Sequence, residues 1–303
     1  WSFIKIYKLN MNDKKNKFLL FIIFLMIFIF NGCATIVYKT IPLRNIAKAK
    51  GPYFVGTQNF QIVDASRKMW FSDDIKGSRK LSVKMWYPTD NITSLKKAPY
   101  LNKHKLIGSA ISKLFGVPEA LMYRAGGVKC NSWLNAVPAN GKFPIIIYSH
   151  GHQSIKIANT SQAEEMASNG YIVVAMDHSY DAALTILDED KIIYSRSKLP
   201  ANDEEALQDS MIQRVKNQLK IRTEDVSFVI DELKIMFEKD KRFLKVADFD
   251  NIGIFGHSFG GCTSIMSAYN DTRIDAVLGL DAYFLPLPKE IIKKDMDRPF
   301  VHL

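Results

Sequence analysis

Gly256-His257-Ser258-Phe259-Gly260 follows the apolar run Ile252-Gly253-Ile254-Phe255, and Gly261, Cys262, Thr263 and Ser264 come next. A serine carried on a sharp strand-to-helix turn needs small residues on both sides, because the backbone there is strained and crowded. The turn lifts the hydroxyl off the end of a sheet, where a base and a substrate can reach it. The G-x-S-x-G spacing, the strand before it and helix-compatible residues after it predict a nucleophile elbow at Ser258. That confines the chain to architectures in which a buried strand runs straight into a helix.

Other buried runs complete such an architecture. Leu81–Tyr87 alternates as a strand and is expected to stop at Pro88; Phe143–Tyr148, Tyr171–Met176 and Ala276–Leu280 are continuous apolar strands. Between them, Ser161–Asn169 reads as a helix closed by Gly170. Ile212, Val215, Leu219, Val226, Val229 and Leu233 recur at near-helical spacing, so Glu204–Phe237 is one long helix or a broken pair. Strand, helix, strand, helix, strand implies a mostly parallel central sheet flanked by helices, an α/β class. Pro99–Val137 carries short apolar clusters broken by Gly116, Pro118 and Gly126-Gly127, and is expected to form short helices outside the main sheet. Within it, Leu106–Tyr123, with Leu114 and Phe115, is read either as a rim over an acyl pocket or as plain packing.

Ligands of open α/β sheets bind at the carboxyl ends of the strands. Four loops begin there: His150-Gly151-His152, Asp177-His178, Ser258 and Asp281. Serine is a weak nucleophile until a base takes its proton, and that base needs an orienting carboxylate. Asp281, ending Leu278-Gly279-Leu280, is the candidate orienter. The tetrahedral intermediate needs two converging N–H donors. The backbone of Phe259 supplies one and that of His152 the other, with His150 supporting the loop. His178 and His257 are expected to line the pocket.

These segments resemble the plasma-type platelet-activating factor acetylhydrolase family of α/β-hydrolases and its bacterial lipoprotein relatives. The resemblance rests on Gly51–Gly56, Met85-Trp86-Tyr87-Pro88, Tyr148-Ser149-His150-Gly151, Gly256–Gly261 and Leu280-Asp281-Ala282, and covers residues 51–303. The 23-residue step from Ser258 to Asp281 agrees with it. It implies an α/β-hydrolase fold and cofactor-free, calcium-independent hydrolysis of short or oxidised acyl esters, including those at the middle position of glycerophospholipids. The chain departs from the family at the histidine, which there lies on a loop beyond the next strand. Here Pro299-Phe300-Val301-His302 is that strand, and His302 falls at its end. The expectation is therefore a C-terminally truncated copy whose catalytic histidine is missing.

The first 50 residues carry a different message. Lys14, Lys15 and Lys17 precede the apolar run Phe18–Phe30, followed by Asn31-Gly32-Cys33-Ala34. A basic stretch, an apolar stretch too short for the about 20 residues of a spanning helix, and a small residue before cysteine read as a lipoprotein signal with lipid on Cys33. Residues 11–32 form that signal from Met11, residues 1–10 are upstream sequence, 33–50 a tether, and 51–303 the hydrolase domain. An exported protein anchored to the cell-envelope membrane follows. The formal charge of +10 includes +4 from residues 1–32, which leaves +6 for the remainder. Lys39, Arg44, Lys48 and Lys50 suit anionic headgroups, and nothing interleaves basic and aromatic residues as a nucleic-acid surface would. Cys130 and Cys262 are expected as buried thiols, with a disulfide between them the other possibility.

Two competing readings follow from the same residues. His150-x-His152 with Asp177-His178 suggests a zinc hydrolase, although Ser154-Ile155 replace the continuation such sites use. A lipid-anchored, non-catalytic binding protein on the same fold becomes the leading alternative if residue 303 is the true end.

Overall fold

The β9 strand Ala247–His257 is the third strand from one edge of a nine-stranded sheet and ends at the elbow. A computed structural model of the chain describes residues 46–303, apart from 73, 117, 120–127 and 294–295. The expected signal, Cys33 and the tether up to residue 45 lie outside the described residues, as do Leu121-Met122-Tyr123 and Gly126-Gly127. The described residues form one contact unit.

The other strands are β1 (Phe54–Lys68), β2 (Ser78–Thr89), β3 (Lys97–Pro99), β4 (Lys129–Leu134), β5 (Phe143–Ser149), β6 (Ile172–Asp177), β10 (Ile274–Leu280) and β11 (Phe300–His302). Their order across the sheet is β11-β10-β9-β5-β6-β2-β1-β4-β3. From β11 to β6 all neighbours are parallel, whereas β2 pairs antiparallel with both β6 and β1. A two-stranded hairpin, β7 (Leu184–Ile186) and β8 (Ile192–Tyr194), stands apart.

Parallel strands are covered on both faces, so their sequences read as unbroken apolar runs. Every residue of β6 is buried. Its Ile172, Val174 and Met176 face a core shared with helix α4 (Asp209–Lys239) and helix α5 (Phe259–Asn270). Val173 and Ala175 face the other side, packing with Trp86 and Tyr148 against Ala163 and Ala167 of helix α2 (Thr160–Ser168). The expected break before α4 is real: a single turn, α3 (Asp203–Ala206), capped by the Asn202 side chain on the Glu205 N–H, precedes it. The fold is the α/β type expected, a mostly parallel sheet between helices.

Two details depart from the sequence reading. Residues 99–137 do not lie wholly outside the main sheet. They contain helix α1 (His104–Phe115), but also β4, which pairs with β1 and β3. In β4 the buried residues are Cys130 and Ser132 rather than branched aliphatics, and the buried Glu164 carboxylate accepts the N–H groups of Asn131 and Ser132. That polar support hides the strand from an apolar pattern. Likewise β2 runs through Pro88 to Thr89, because its partner β6 reaches only to Trp86 and no ladder bond is asked of the proline on that side. Cys130 and Cys262 are free and buried, and burial pushes the Cys130 thiol up to about 11. Among the described residues no helix is long and apolar enough to cross a membrane.

Helix α4 supplies much of the larger core, and Leu233 on it is 1% exposed while Ile235 is 43% exposed. Leu233→Ala should cost about 2–5 kcal/mol and Ile235→Ala within about 0.5 kcal/mol. Urea unfolding of both variants checks this; equal losses would mean that α4 packs through another face.

Candidate active site

Ser258 has φ 54 and ψ −119, a conformation that L-residues rarely hold. The flanking glycines explain how it is reached. A Cβ on Gly256 would stand 2.2 Å from the Gly260 carbonyl oxygen, and one on Gly260 would stand 2.0 Å from that of Ser149. The first turn of α5 therefore lies directly against the end of β5. The elbow is also tied to the next strand. The Ser258 N–H donates to the Leu280 carbonyl at 2.8 Å, and the Ser258 carbonyl accepts from Tyr283 at 3.1 Å and Cys262 at 3.2 Å.

Those bonds bring the Asp281 loop to the serine. Asp281 itself has φ 46, is exposed, and its N–H donates to the Leu303 carbonyl at 2.7 Å. The 150–152 loop arrives from the other side: a Cβ on Gly151 would lie 3.6 Å from Ser258 Cβ and 3.3 Å from His257 Nδ1. As the first residue of α5, Phe259 has an N–H with no intrahelical acceptor. The His152 N–H has no backbone acceptor among the described residues. Ser258, Asp281, His152 and Phe259 thus meet at the carboxyl edge of β5, β9 and β10.

The histidines fall out differently. His302 Nε2 accepts the Ala282 N–H at 3.1 Å, and its ring lies 5.2 Å from that of Phe284. His257 is exposed beside the serine. His178, expected to line the pocket, is instead fully buried beneath it. Its Nδ1–H donates to Asp225 at 2.9 Å and its Nε2 accepts from Ser149 Oγ at 3.0 Å. His150 donates from Nδ1 to the Gly151 carbonyl at 2.7 Å and accepts the His178 N–H at Nε2 at 3.1 Å. Both ring nitrogens of His150 are therefore engaged, so the His150-x-His152 pair cannot ligate zinc without breaking the loop. Among the described residues no histidine is hydrogen-bonded to Ser258 Oγ.

Beneath the loop runs a network that the sequence reading missed. Arg222, on α4 and fully buried, donates to Asp181 at 2.9 Å, to Ser149 Oγ at 3.0 Å and to the His150 carbonyl. Its guanidinium also lies 4.9 Å from the Phe259 ring centre. With His178 neutral, Arg222 donates to Ser149, whose hydroxyl donates to His178, which donates to Asp225. Asp225 in turn is held by Arg79 at 2.9 and 2.6 Å and by Arg67 at 3.0 Å. Burial opposes the Asp225 charge, but these arginines and His178 outweigh it and hold the carboxyl well below its usual range. Burial, with the Arg222 charge, pushes His178 down to about 4. A signal for this network did exist: the apolar stripe of α4 skips from Leu219 to Val226, and Arg222 and Asp225 fill the gap.

The chain matches the family described as platelet-activating factor acetylhydrolase, isoform II, over residues 39–303. It is 25% identical over 291 residues to the platelet-activating factor acetylhydrolase of Gallus gallus, covering 85% of this chain and 65% of that protein. With the protein of that name from Canis lupus familiaris it shares 24%, covering 82% and 57%. The chain thus spans less than two thirds of the length of these curated relatives. Among solved structures, a ferulic acid esterase from Streptomyces cinnamoneus superposes with a TM-score of 0.67 and 27% identity, covering 86% of this chain and 67% of that one. The central sheet and its helices are those of the α/β-hydrolase fold.

Because the folded pKa of His178 lies below its unfolded value near 6.5, its neutral form favours the native state. Its contribution is complete above about pH 6.5 and is lost as pH falls toward 4, a change on the order of 3 kcal/mol. Stability measured from pH 7 to 4 should fall along this limb, and His178→Gln should flatten it; an unchanged limb would assign the slope to other groups. Arg222→Met strands the Asp181 charge and should cost about 3–5 kcal/mol in denaturant unfolding.

Proposed function

Since the chain belongs to the platelet-activating factor acetylhydrolase isoform II family, we propose that it hydrolyses carboxylic esters through a serine acyl-enzyme. The observation that carries this reading is the strained backbone of Ser258, seated between β9 and α5 with the Gly151 turn against it. Strain of about 1–3 kcal/mol persists only where the surroundings impose it, and such sites cluster where chemistry is done.

In this mechanism Ser258 Oγ attacks the ester carbonyl while a histidine takes its proton. The oxyanion is held by the N–H groups of Phe259 and His152, both free of backbone acceptors. The histidine returns the proton to the departing alcohol, and water then releases the acid by the same steps in reverse order. Asp281 orients that histidine, which the family resemblance puts on a loop following β11. Short or oxidised acyl esters, including platelet-activating-factor-like phospholipids, are the substrate class. The names of the relatives support this, one from Arthroderma benhamiae being a probable 1-alkyl-2-acetylglycerophosphocholine esterase, 27% identical over 142 residues. We read residues 11–32 as a lipoprotein signal and Cys33 as the lipid-bearing residue that tethers the domain to the cell-envelope membrane. Cys33→Ser should then shift the protein to the soluble fraction.

In the full-length protein, Ser258→Ala should lower p-nitrophenyl acetate hydrolysis by at least about 10³-fold, and Asp281→Asn by about 10²- to 10⁴-fold. A fluorophosphonate probe should label Ser258 alone, read by peptide mass. Turnover surviving in Ser258→Ala would reject the nucleophile; a folded full-length protein with no turnover on any ester would favour a non-catalytic binding protein.

A further inference from the structure

Lys84 projects from β2 toward the α2 side of the sheet and is 3% exposed. A lysine that deep is normally paired, because an ammonium pays a large desolvation cost. Among the described residues its Nζ has neither hydrogen-bond nor ion-pair partner and lies 4.8 Å from the centre of the Trp86 ring. The buried carboxylate acting on it through space, Glu164, spends both oxygens on the N–H groups of Asn131 and Ser132. Burial accordingly holds the Lys84 ammonium below the usual lysine range.

Lys84 lines a cavity of about 260 Å³ roofed by α1 and the β7–β8 hairpin. None of Ser258, Asp281, Phe259 or His152 lines it. Apolar and polar side chains line it in comparable measure, the apolar ones including Phe60, Tyr100, Ile107, Ile155, Leu184 and Ile186. The other cations are already matched: Lys156 pairs with Asp177 at 2.5 Å and bonds Ser82 Oγ at 3.0 Å, while Lys103 pairs with Asp190 at the rim. Asp188 stands exposed at the mouth. One buried ammonium without a hydrogen-bonded or ion-paired partner therefore sits in a chamber of mixed polar and apolar walls that opens to solvent.

We propose that this cavity is a binding site for a monocarboxylic acid with an apolar chain, its carboxylate paired to Lys84 and its chain laid along Ile107, Ile155 and Leu184. A single negative charge matches the one ammonium that lacks an ion-pair partner, and a doubly charged anion would leave a charge unpaired. The acids that ester hydrolysis releases fall in this class. The site stands independently of Ser258, however, and binding is measured without turnover, so failure of one reading leaves the other intact.

Calorimetric titration of sodium octanoate into the full-length protein tests it, with octan-1-ol as the uncharged control. Octanoate should bind wild type and Ser258→Ala alike, at least tenfold more tightly than octanol. Lys84→Met should lose at least tenfold in octanoate affinity while its Tm holds or rises, since an unmatched buried charge is removed. Ile107→Trp, which fills the chamber and keeps the charge, should lose affinity for both probes. The proposal is overturned if wild type binds no octanoate, if folded Lys84→Met binds it unchanged, or if Ser258→Ala abolishes binding and so relocates the acid to the serine.

Discussion

Arg222 carries a positive charge with none of its surface open to water, and the loop beneath which it lies takes its shape from how that charge is met. Removing a guanidinium from water costs several kcal/mol unless its N–H groups find good acceptors. Here its two terminal nitrogens find the Asp181 carboxylate, the Ser149 hydroxyl and the His150 carbonyl, Nε has no hydrogen-bond partner among the described residues, and its face meets the Phe259 ring. Two of those partners belong to the turn that leads into His152, and the fourth is the residue after Ser258. One side chain from α4 thus ties together both segments proposed to hold an oxyanion. The tie is directional, because Ser149 Oγ accepts from Arg222 and gives its own proton to His178, which donates to Asp225. Arg79 and Arg67 close the far end and keep the carboxylate charged, while burial and the Arg222 charge keep the imidazole neutral.

The elbow draws on a second constraint, the closeness of two backbones. Gly256 and Gly260 allow α5 to begin against the end of β5, and no larger residue would leave room. Ser258 is left in an unfavourable conformation, offset by hydrogen bonds at both its N–H and its carbonyl to residues 280 and 283. Those same bonds carry Asp281 to the site. Strain at the serine and placement of the aspartate are therefore two results of one junction between β9, α5 and β10.

Much of this was legible along the chain. The glycine-flanked serine, the continuous apolar strands around it and the loops at their carboxyl ends all appeared as local patterns. What stayed hidden shares a single cause. Arg222 and Asp225 on α4, Ser149, His178 and Arg79 come from four separate segments, and each alone reads as an ordinary polar residue. Even the gap in the α4 stripe between Leu219 and Val226 could pass for a helix break. Strand β4 escaped because its buried residues are Cys130 and Ser132, with Glu164 from a distant helix satisfying its N–H groups. The strand end before His178 points to a pocket position, whereas its side chain turns beneath the loop.

By itself the sequence determined the class of fold, the position of the elbow and the edge of the sheet where the candidate residues gather. Steric demands at glycines and the periodicity of apolar residues act over a few positions, so they are written locally. Only the tertiary structure decided which polar residues are buried together, which imidazole is locked neutral beneath the site, and that Lys84 is left unmatched in a chamber of its own. Those outcomes depend on desolvation and on partners supplied by remote segments, and neither exists until the chain has packed.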